Sequence, residues 1–259
     1  MIGRAGVYLE SVRFQHTIFA LPFAFAAMLL AAGGWPGWST LAFITLAMIG
    51  ARTGAMAANR LIDAQFDARN PRTVSRALPA GLMCQREMLA LAAAGFILLA
   101  IAAWRLNFTA LTLAPVAVLL VSAYPYFKRF TWLSHWFLGL ADAIAVAGAW
   151  IGVTAGLDLA AVLLTLAMMF WIAGFDVIYA CQDADFDREQ NLFSLPSRLG
   201  ITQALYIAFL SHVAAVVSLF ALWLLTDLGT PFLLGIIVLS GILLYQHSLV
   251  SPNDLDRVN

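Results

Sequence analysis

Long apolar runs recur along the whole chain, and they limit what it can fold into more than any other feature. The length of each run is close to that of a membrane-spanning helix, which needs about 20 residues to cross roughly 30 Å of hydrocarbon. In lipid, every backbone N–H and C=O group must be satisfied within its own segment, so such runs have to be helices. Hydrophobic residues make up 63% of the sequence and charged residues only 11%, which differs strongly from the amino-acid composition of soluble proteins. The sequence predicts an integral membrane protein.

Eight of these runs are predicted to be membrane-spanning helices. No linker, low-complexity tract or second soluble domain separates them, so we expect one all-α domain that covers residues 1–259. The predicted spans are Thr17–Ala32, Thr40–Ala58, Met88–Trp104, Thr109–Tyr124, Leu133–Thr154, Leu159–Cys181, Thr202–Leu225 and Pro231–Val250.

Positive charges concentrate on one side of the predicted bundle. The connections after even-numbered spans hold most of the cations, whereas Arg105 is the one cation in the other connections. The positive-inside rule places the even connections in the cytoplasm. We therefore expect a protein of a lipid bilayer with its chemistry on the cytoplasmic side. We expect no nucleic-acid partner. The cations of the even connections are Arg60, Arg69, Arg72, Arg76, Arg86, Lys128, Arg129, Arg188 and Arg198.

Two acidic segments follow the second and the sixth predicted spans. At about 100° per residue, steps of four, seven or eleven residues return to nearly the same face of a helix. Each segment therefore predicts one acidic stripe. The two sets are Asn59, Asp63 and Asp67, at i, i+4 and i+8, and Asp176, Asp183 and Asp187, at i, i+7 and i+11.

Arg52 lies seven residues before Asn59, inside the apolar second span. Arg52, Asn59 and Asp63 thus repeat the spacing of the second acidic set, which indicates two similar four-helix halves around a central cavity. An ionised group within the membrane costs several kcal/mol and is usually functional or paired. The alternative is that the carboxylates are solvated helix ends with arginine counter-ions, and that Arg52 is a structural partner of Asp176 or Asp63.

Carboxylates, an amide and cations together favour chemistry on a diphosphate. Mg²⁺ binds oxygen, typically through one or two carboxylates and substrate phosphates, so two facing stripes could hold two ions around one diphosphate. Nearby arginines and lysine would neutralise the departing pyrophosphate, and an apolar chamber suits an isoprenoid cation. We assign no role to His135, His212 or His247, and we expect Asp185 to be solvated because it lies off the stripe.

The segment "NRLIDAQFDARNPRTVSRALPAG" resembles the first signature of the UbiA superfamily of intramembrane prenyltransferases, and "DVIYACQDADFD" resembles its second aspartate-rich motif. The stretch "YPYFKR" resembles the short loop of the family that follows the fourth helix. The resemblance implies a helical bundle that joins a polyprenyl diphosphate to an acceptor with Mg²⁺. The sequence is most similar to the bacterial and archaeal 4-hydroxybenzoate polyprenyltransferase branch, which implies a prokaryotic inner membrane. The acceptor in that branch is an aromatic carboxylic acid, and some members act on a naphthoate in menaquinone routes.

The resemblance also implies roles for single residues. It implies that the catalytic carboxylates are Asp63, Asp67, Asp183 and Asp187, and that Asn59, Asp63, Asp67, Asp176, Asp183 and Asp187 bind Mg²⁺ and the diphosphate. It implies that Arg72, Arg76, Lys128 and Tyr179 contact the diphosphate, and that Arg52 anchors the carboxylate of the acceptor.

One feature departs from this family, whose members usually have nine helices. The sequence predicts eight, and its end, "SPNDLDRVN", resembles the lead-in to a ninth. Two other classes stay open. A CDP-alcohol phosphotransferase is disfavoured because its D-G-x-x-A-R opening is absent. A transporter is disfavoured because its site would lie near mid-membrane, whereas these carboxylates lie at helix ends.

Overall fold

The protein is helical throughout the part of the chain that its structure, a computed structural model, describes. That part is residues 4–11, 14–252, 254–255 and 258, and it includes all side chains except those of residues 4–5, 9 and 14–20. It contains no β-strand. The helices are α1 (Arg4–Ser11), α2 (Phe14–Ala32), α3 (Trp38–Ile62), α4 (Ala64–Asp67), α5 (Gln85–Leu106), α6 (Phe108–Phe127), α7 (Ser134–Thr154), α8 (Leu159–Ala180), α9 (Ala184–Glu189), α10 (Leu195–Leu199), α11 (Ile201–Leu225) and α12 (Gly229–Ser248).

Seven helical segments among the described residues are long and apolar enough to cross a membrane, and they match predicted spans two to eight. The first predicted span coincides with α2, whose fully described part, Leu21–Ala32, is apolar but shorter. Large apolar side chains lie exposed along these helices, as Leu89, Ile97 and Leu119 do at 62%, 60% and 66%. Lipid accommodates such surfaces, and the protein is an integral membrane protein. The short helices α1, α4, α9 and α10 were not predicted.

The chain divides into two compact units. Unit 1 comprises Met1–Pro125 and Ala145–Leu157, and unit 2 comprises Tyr126–Ile144 and Asp158–Asn259. The predicted division into two four-helix halves differs from this in one respect, because the end of α7 belongs to unit 1. Each unit contains one of the two acidic segments. That both units belong to a single domain, with their stripes facing a common cavity, stays a prediction.

Unit 1 depends on a close approach of α3 and α5. A Cβ atom added to Gly95 on α5 would lie 2.5 Å from the backbone nitrogen of Gly54 on α3. One added to Gly50 would lie 2.6 Å from the backbone nitrogen of Leu99. Small residues at such positions let membrane helices pack backbone to backbone. Because α3 ends in the first acidic segment, this contact fixes where that segment begins.

Unit 2 holds its acidic segment through a buried cluster between α8, α10 and α11. The cluster includes Val177, Leu195 and Ala208, each 0% exposed. A Cβ atom on Gly174 would lie 2.6 Å from Nε2 of His212, so the glycine makes room for that ring between α8 and α11. The segment 181–199 is therefore packed against the end of α8.

Candidate active site

The first acidic segment lies where α3 ends and α4 begins. The helix breaks at Asp63, yet the backbone hydrogen bonds of a helix continue across the break. The N–H of Asp63 donates to the carbonyl of Asn59 at 2.9 Å, and the N–H of Asp67 donates to that of Asp63 at 2.8 Å. Helical spacing is thereby kept and places the three side chains along one face. Asp63 and Asp67 are only 4% and 6% exposed.

Cations and a phenol hold this segment in place. Arg76 Nη1 donates to Asp67 Oδ1 at 2.7 Å, and Arg60 Nη1 lies 3.9 Å from Asp67 Oδ2. Asn59 Nδ2 donates to the hydroxyl of Tyr124 at 2.9 Å. The two guanidinium groups offset the buried charge of Asp67. The contact with Tyr124 engages the amide nitrogen of Asn59, so its side-chain oxygen is the atom that a cation would contact.

The loop that follows brings Arg76 back to the carboxylates. Thr73 Oγ1 donates to the backbone carbonyl of Asp67 at 3.0 Å, and the N–H of Arg72 donates to Asn70 Oδ1 at 2.9 Å. Asn70 and Thr73 are 9% and 5% exposed, so this turn is built into the unit. Such side-chain bonds to the backbone are typical of tight turns. Arg72 itself is exposed, whereas Arg76 is partly buried.

The second acidic segment is less regular than predicted. A 3-10 turn, Cys181–Asp183, separates α8 from α9, so the stripe is not one continuous helix. Asp187 nevertheless lies close enough to Asp183 for the two charges to interact. Asp185 is different, because its side chain is 90% exposed and pairs with Arg188 at 2.8 Å. The prediction that Asp185 is solvated is confirmed.

Lys128 is tied to the second segment through the chain after α9. Its backbone carbonyl accepts a hydrogen bond from the N–H of Phe193 at 2.6 Å. The next residue, Ser194, forms a side-chain hydrogen bond with the carboxylate of Asp187, and the charge of Lys128 interacts with the same carboxylate. The structure therefore brings Lys128, Asp183 and Asp187 into one neighbourhood of unit 2.

Two residues that contact the acidic segments were not identified from the sequence. Arg60 was counted only as a cation of a connection, although it lies seven residues before Asp67 and the same-face rule would have found it. His135 was given no role, yet it contacts one of the predicted site residues. Its Nδ1 lies 2.7 Å from Asp176 Oδ2. No periodicity could have indicated this contact, since Asp176 is 41 residues away.

Arg52 and Tyr179, the other two predicted substrate-binding residues, both lie on long helices. Arg52 is partly buried on α3, one stripe position before Asn59. Tyr179 lies on α8, is 37% exposed and stacks with Phe175 at a centroid distance of 6.1 Å. Their predicted contacts with substrates stay predictions.

The donor atoms suit a hard cation. Both segments offer carboxylate oxygens and, in unit 1, an amide oxygen, which Mg²⁺ prefers over nitrogen or sulfur. Asp67 Oδ2 is buried and accepts no hydrogen bond. Within the described part of the chain, no group of three or more His, Cys, Asp or Glu side chains is close enough to hold a metal ion by itself. This fits Mg²⁺, which is commonly bound by one or two carboxylates together with the phosphates of a substrate.

Comparison with known proteins decides the family. Residues 20–259 match the model of the UbiA prenyltransferase family. The chain belongs to this family. It is thus an enzyme, a transferase of prenyl groups, and the resemblance of its two motifs is confirmed.

Individual members are similar over nearly the whole chain. The 4-hydroxybenzoate octaprenyltransferase of Cupriavidus metallidurans is 30% identical, over 97% of this chain and 86% of its own length. The apo structure of a UbiA homolog from Aeropyrum pernix K1 has a TM-score of 0.87 and 31% identity, over 94% of this chain and 91% of that one. A UbiA homolog from Archaeoglobus fulgidus bound to DMAPP and Mg²⁺ has a TM-score of 0.77 and 18% identity, over 94% and 86%, and shares the fold.

Proposed function

We propose that this enzyme transfers a polyprenyl group from a polyprenyl diphosphate to 4-hydroxybenzoate or a related aromatic acid in quinone biosynthesis. The observation that carries the proposal is that each unit presents carboxylates together with cations. In unit 1, Asp67 lies with Arg60 and Arg76, and Asp63 contacts Asn59. In unit 2, the charge of Lys128 interacts with Asp187. The name of the relative from Cupriavidus metallidurans supports the acceptor and the long prenyl chain.

The residues divide the work between metal, diphosphate and acceptor. We assign Asn59, Asp63 and Asp67 to one Mg²⁺, and Asp176, Asp183 and Asp187 to a second. The homolog from Archaeoglobus fulgidus is bound to DMAPP and Mg²⁺, which supports a prenyl diphosphate held with a metal ion. When bound, Mg²⁺ supplies positive charge that offsets the negative charge of the diphosphate.

The cationic side chains of the chain act on the diphosphate itself. Arg72 and Arg76 can bind phosphate oxygens by forked hydrogen bonds, whereas Lys128 acts as a point charge. Tyr179 can donate one further hydrogen bond. Together they stabilise the departing diphosphate as its C–O bond to the prenyl group breaks. The prenyl carbon then bonds to the electron-rich ring of the acceptor, and the ring loses a proton.

Arg52 is proposed to anchor the carboxylate of the acceptor. It lies deeper in the membrane segment than the carboxylates, on the face of α3 that carries Asn59. An arginine can bind a carboxylate through two parallel hydrogen bonds, which fixes the orientation of a planar ring acid. A naphthoate precursor of menaquinone carries the same carboxylate and is the alternative acceptor.

The reaction is placed at the cytoplasmic face of a prokaryotic inner membrane. Lys128 and the arginines of the first segment follow even-numbered spans, and the positive-inside rule puts such connections in the cytoplasm. The substrates are consistent with this site, because a polyprenyl diphosphate has a lipid-soluble tail and a charged head.

The test is product formation by purified enzyme in lipid nanodiscs. Geranyl or farnesyl diphosphate is incubated with 4-hydroxybenzoate or a hydroxynaphthoate, with Mg²⁺ or with a chelator, and products are identified by mass. We expect a prenylated ring acid that depends on Mg²⁺. If the diphosphate binds but no ring acid is prenylated, the proposed acceptor class is wrong. Product that forms equally in the chelator would refute the role of the metal.

A further inference from the structure

His135 is a buried polar side chain of unit 2, and no role in the reaction follows for it from the two motifs. It lies at the start of α7 and is 3% exposed. Both of its ring nitrogens have partners. Nδ1 lies 2.7 Å from Asp176 Oδ2 on α8, and Nε2 lies 3.1 Å from the backbone nitrogen of Leu195 on α10.

The backbone partner fixes the tautomer of the ring. The N–H of Leu195 can only donate, so Nε2 of His135 must accept and carries the lone pair. The proton of the neutral ring then lies on Nδ1 and is donated to Asp176. The histidine therefore presents a hydrogen-bond donor, at a fixed position, to one oxygen of a carboxylate assigned to the metal.

The surrounding contacts leave this ring little freedom to move. Ser134 Oγ donates to the carbonyl of Phe193 at 3.3 Å, and the N–H of Phe193 donates to the carbonyl of Lys128 at 2.6 Å. The segment 193–195 is thus bonded to the chain before α7 and to its first turn. Leu195, at 0% exposed, anchors it in the core. Any displacement of His135 would have to break several of these bonds.

Asp176 keeps a surface that a ligand can reach. Its side chain is 29% exposed, whereas that of His135 is 4% exposed. Only Oδ2 is engaged by the histidine. A hydrogen bond to one carboxylate oxygen fixes the rotation of the group and directs the other oxygen, in the way that outer partners orient metal ligands.

We propose that His135 is a positioning residue, which orients Asp176 for the metal-bound diphosphate by donating from Nδ1 to Oδ2. The proposal rests on the proposed function, because it takes Asp176 as a metal ligand. It assigns a task to a histidine that belongs to neither aspartate-rich motif. It also explains why the segment 193–195 is bonded to the start of α7, since that bond sets the tautomer.

Two substitutions separate the two bonds of the ring. In His135→Asn, the short side chain can place an amide N–H near the position of Nδ1, so the bond to Asp176 is kept and that to Leu195 is lost. In His135→Gln, the longer side chain reaches the position of Nε2, so its oxygen can accept from Leu195 while the donor to Asp176 is lost. If His135 positions Asp176, the Asn variant should bind the metal better than the Gln variant. If His135 only supports the fold through Leu195, the order of the two variants should be the opposite.

The readout is metal binding rather than turnover alone. Mn²⁺ is titrated in the presence of inorganic diphosphate, and free Mn²⁺ is followed by its electron paramagnetic resonance signal. We expect His135→Gln to bind Mn²⁺ about 10- to 100-fold more weakly than wild type, as for other outer partners of metal ligands. We expect His135→Asn to stay within about threefold of wild type, and the half-saturating Mg²⁺ concentration for activity to follow the same order.

Other results overturn the inference. They are equal Mn²⁺ binding in wild type and His135→Gln, equal weakening in both variants, or weaker binding in His135→Asn than in His135→Gln. If His135→Asn does not fold, the test is a comparison of Mn²⁺ affinity between the single variant Asp176→Asn and the double variant that also carries His135→Gln. We then expect no further loss from His135→Gln, and an additive loss would refute the proposal. Absence of diphosphate-dependent Mn²⁺ binding in wild type would instead refute the metal assignment of the proposed function.

Discussion

The contact between α3 and α5 predicts a measurable effect of a single methyl group. In Gly95→Ala, the new Cβ would lie 2.5 Å from the nitrogen of Gly54, whereas ordinary contacts begin at 3.4 Å, so the helices must separate by 3.4 − 2.5 = 0.9 Å. Overpacking of this kind costs about 1–3 kcal/mol. The better helix propensity of alanine returns up to about 1 kcal/mol. We therefore expect Gly95→Ala to be less stable, by about 1–3 kcal/mol, than an alanine substitution that gains the same helix propensity without a clash.

The assay combines thermal unfolding in nanodiscs with product formation. Relative to such a control, the loss corresponds to a melting temperature lower by roughly 2–12 °C. Activity should fall more steeply, because α3 carries Asn59 and a displacement of about 1 Å can reduce a rate by about 100-fold. The matched control is Gly148→Ala on α7, where an added Cβ meets nothing within 4 Å. If Gly95→Ala and the control have the same melting temperature and rate, the close approach of the two helices does not matter as argued.

Three further predictions concern the candidate site itself. Asp63→Asn and Asp183→Asn should each lower product formation by at least about 100-fold, while the solvated control Asp185→Asn should keep wild-type rates; full activity in either site variant would refute the metal assignment. Arg52→Ala should mainly raise the KM for the ring acid if it anchors the carboxylate, and an unchanged KM would make it structural. Arg76→Gln should reduce the free energy of unfolding by about 1–3 kcal/mol, because it removes the hydrogen-bonded partner of a buried carboxylate. The melting temperature should fall accordingly, and an unchanged value would show that the ion pair does not stabilise the fold.

The sequence predicted the helices well because the membrane leaves few alternatives. A backbone in lipid has to satisfy its own hydrogen bonds, so an apolar run of about 20 residues has one available structure. Spans two to eight accordingly match the observed helices within a few residues. The short helices next to the acidic segments were not foreseen, because polar chain outside the hydrocarbon has many structures to choose from.

The site was only partly predictable, and the reason is sequence distance. Neighbours along one helix follow from its period, which is why Asn59 and Asp63 were expected to share a face. Contacts between helices have no such signature. His135 is 41 residues from Asp176 and 60 from Leu195, and the contact of Asn59 with Tyr124 spans 65 residues. Residues whose importance comes from such contacts carry no mark in the sequence.

The two acidic segments differ in the partners of their carboxylates, and we expect their tasks to differ accordingly. In unit 1, Asp67 is ion-paired with Arg76 and lies near Arg60, so its charge is already offset by guanidinium groups of its own unit. In unit 2, the bonded partner of Asp176 is a histidine whose tautomer makes it neutral, so the bond orients the carboxylate without offsetting its charge. An oriented and uncompensated carboxylate attracts a divalent cation more strongly than one that is already paired. We therefore expect the second segment to hold a metal ion more strongly, and the first to act on the diphosphate through its arginines.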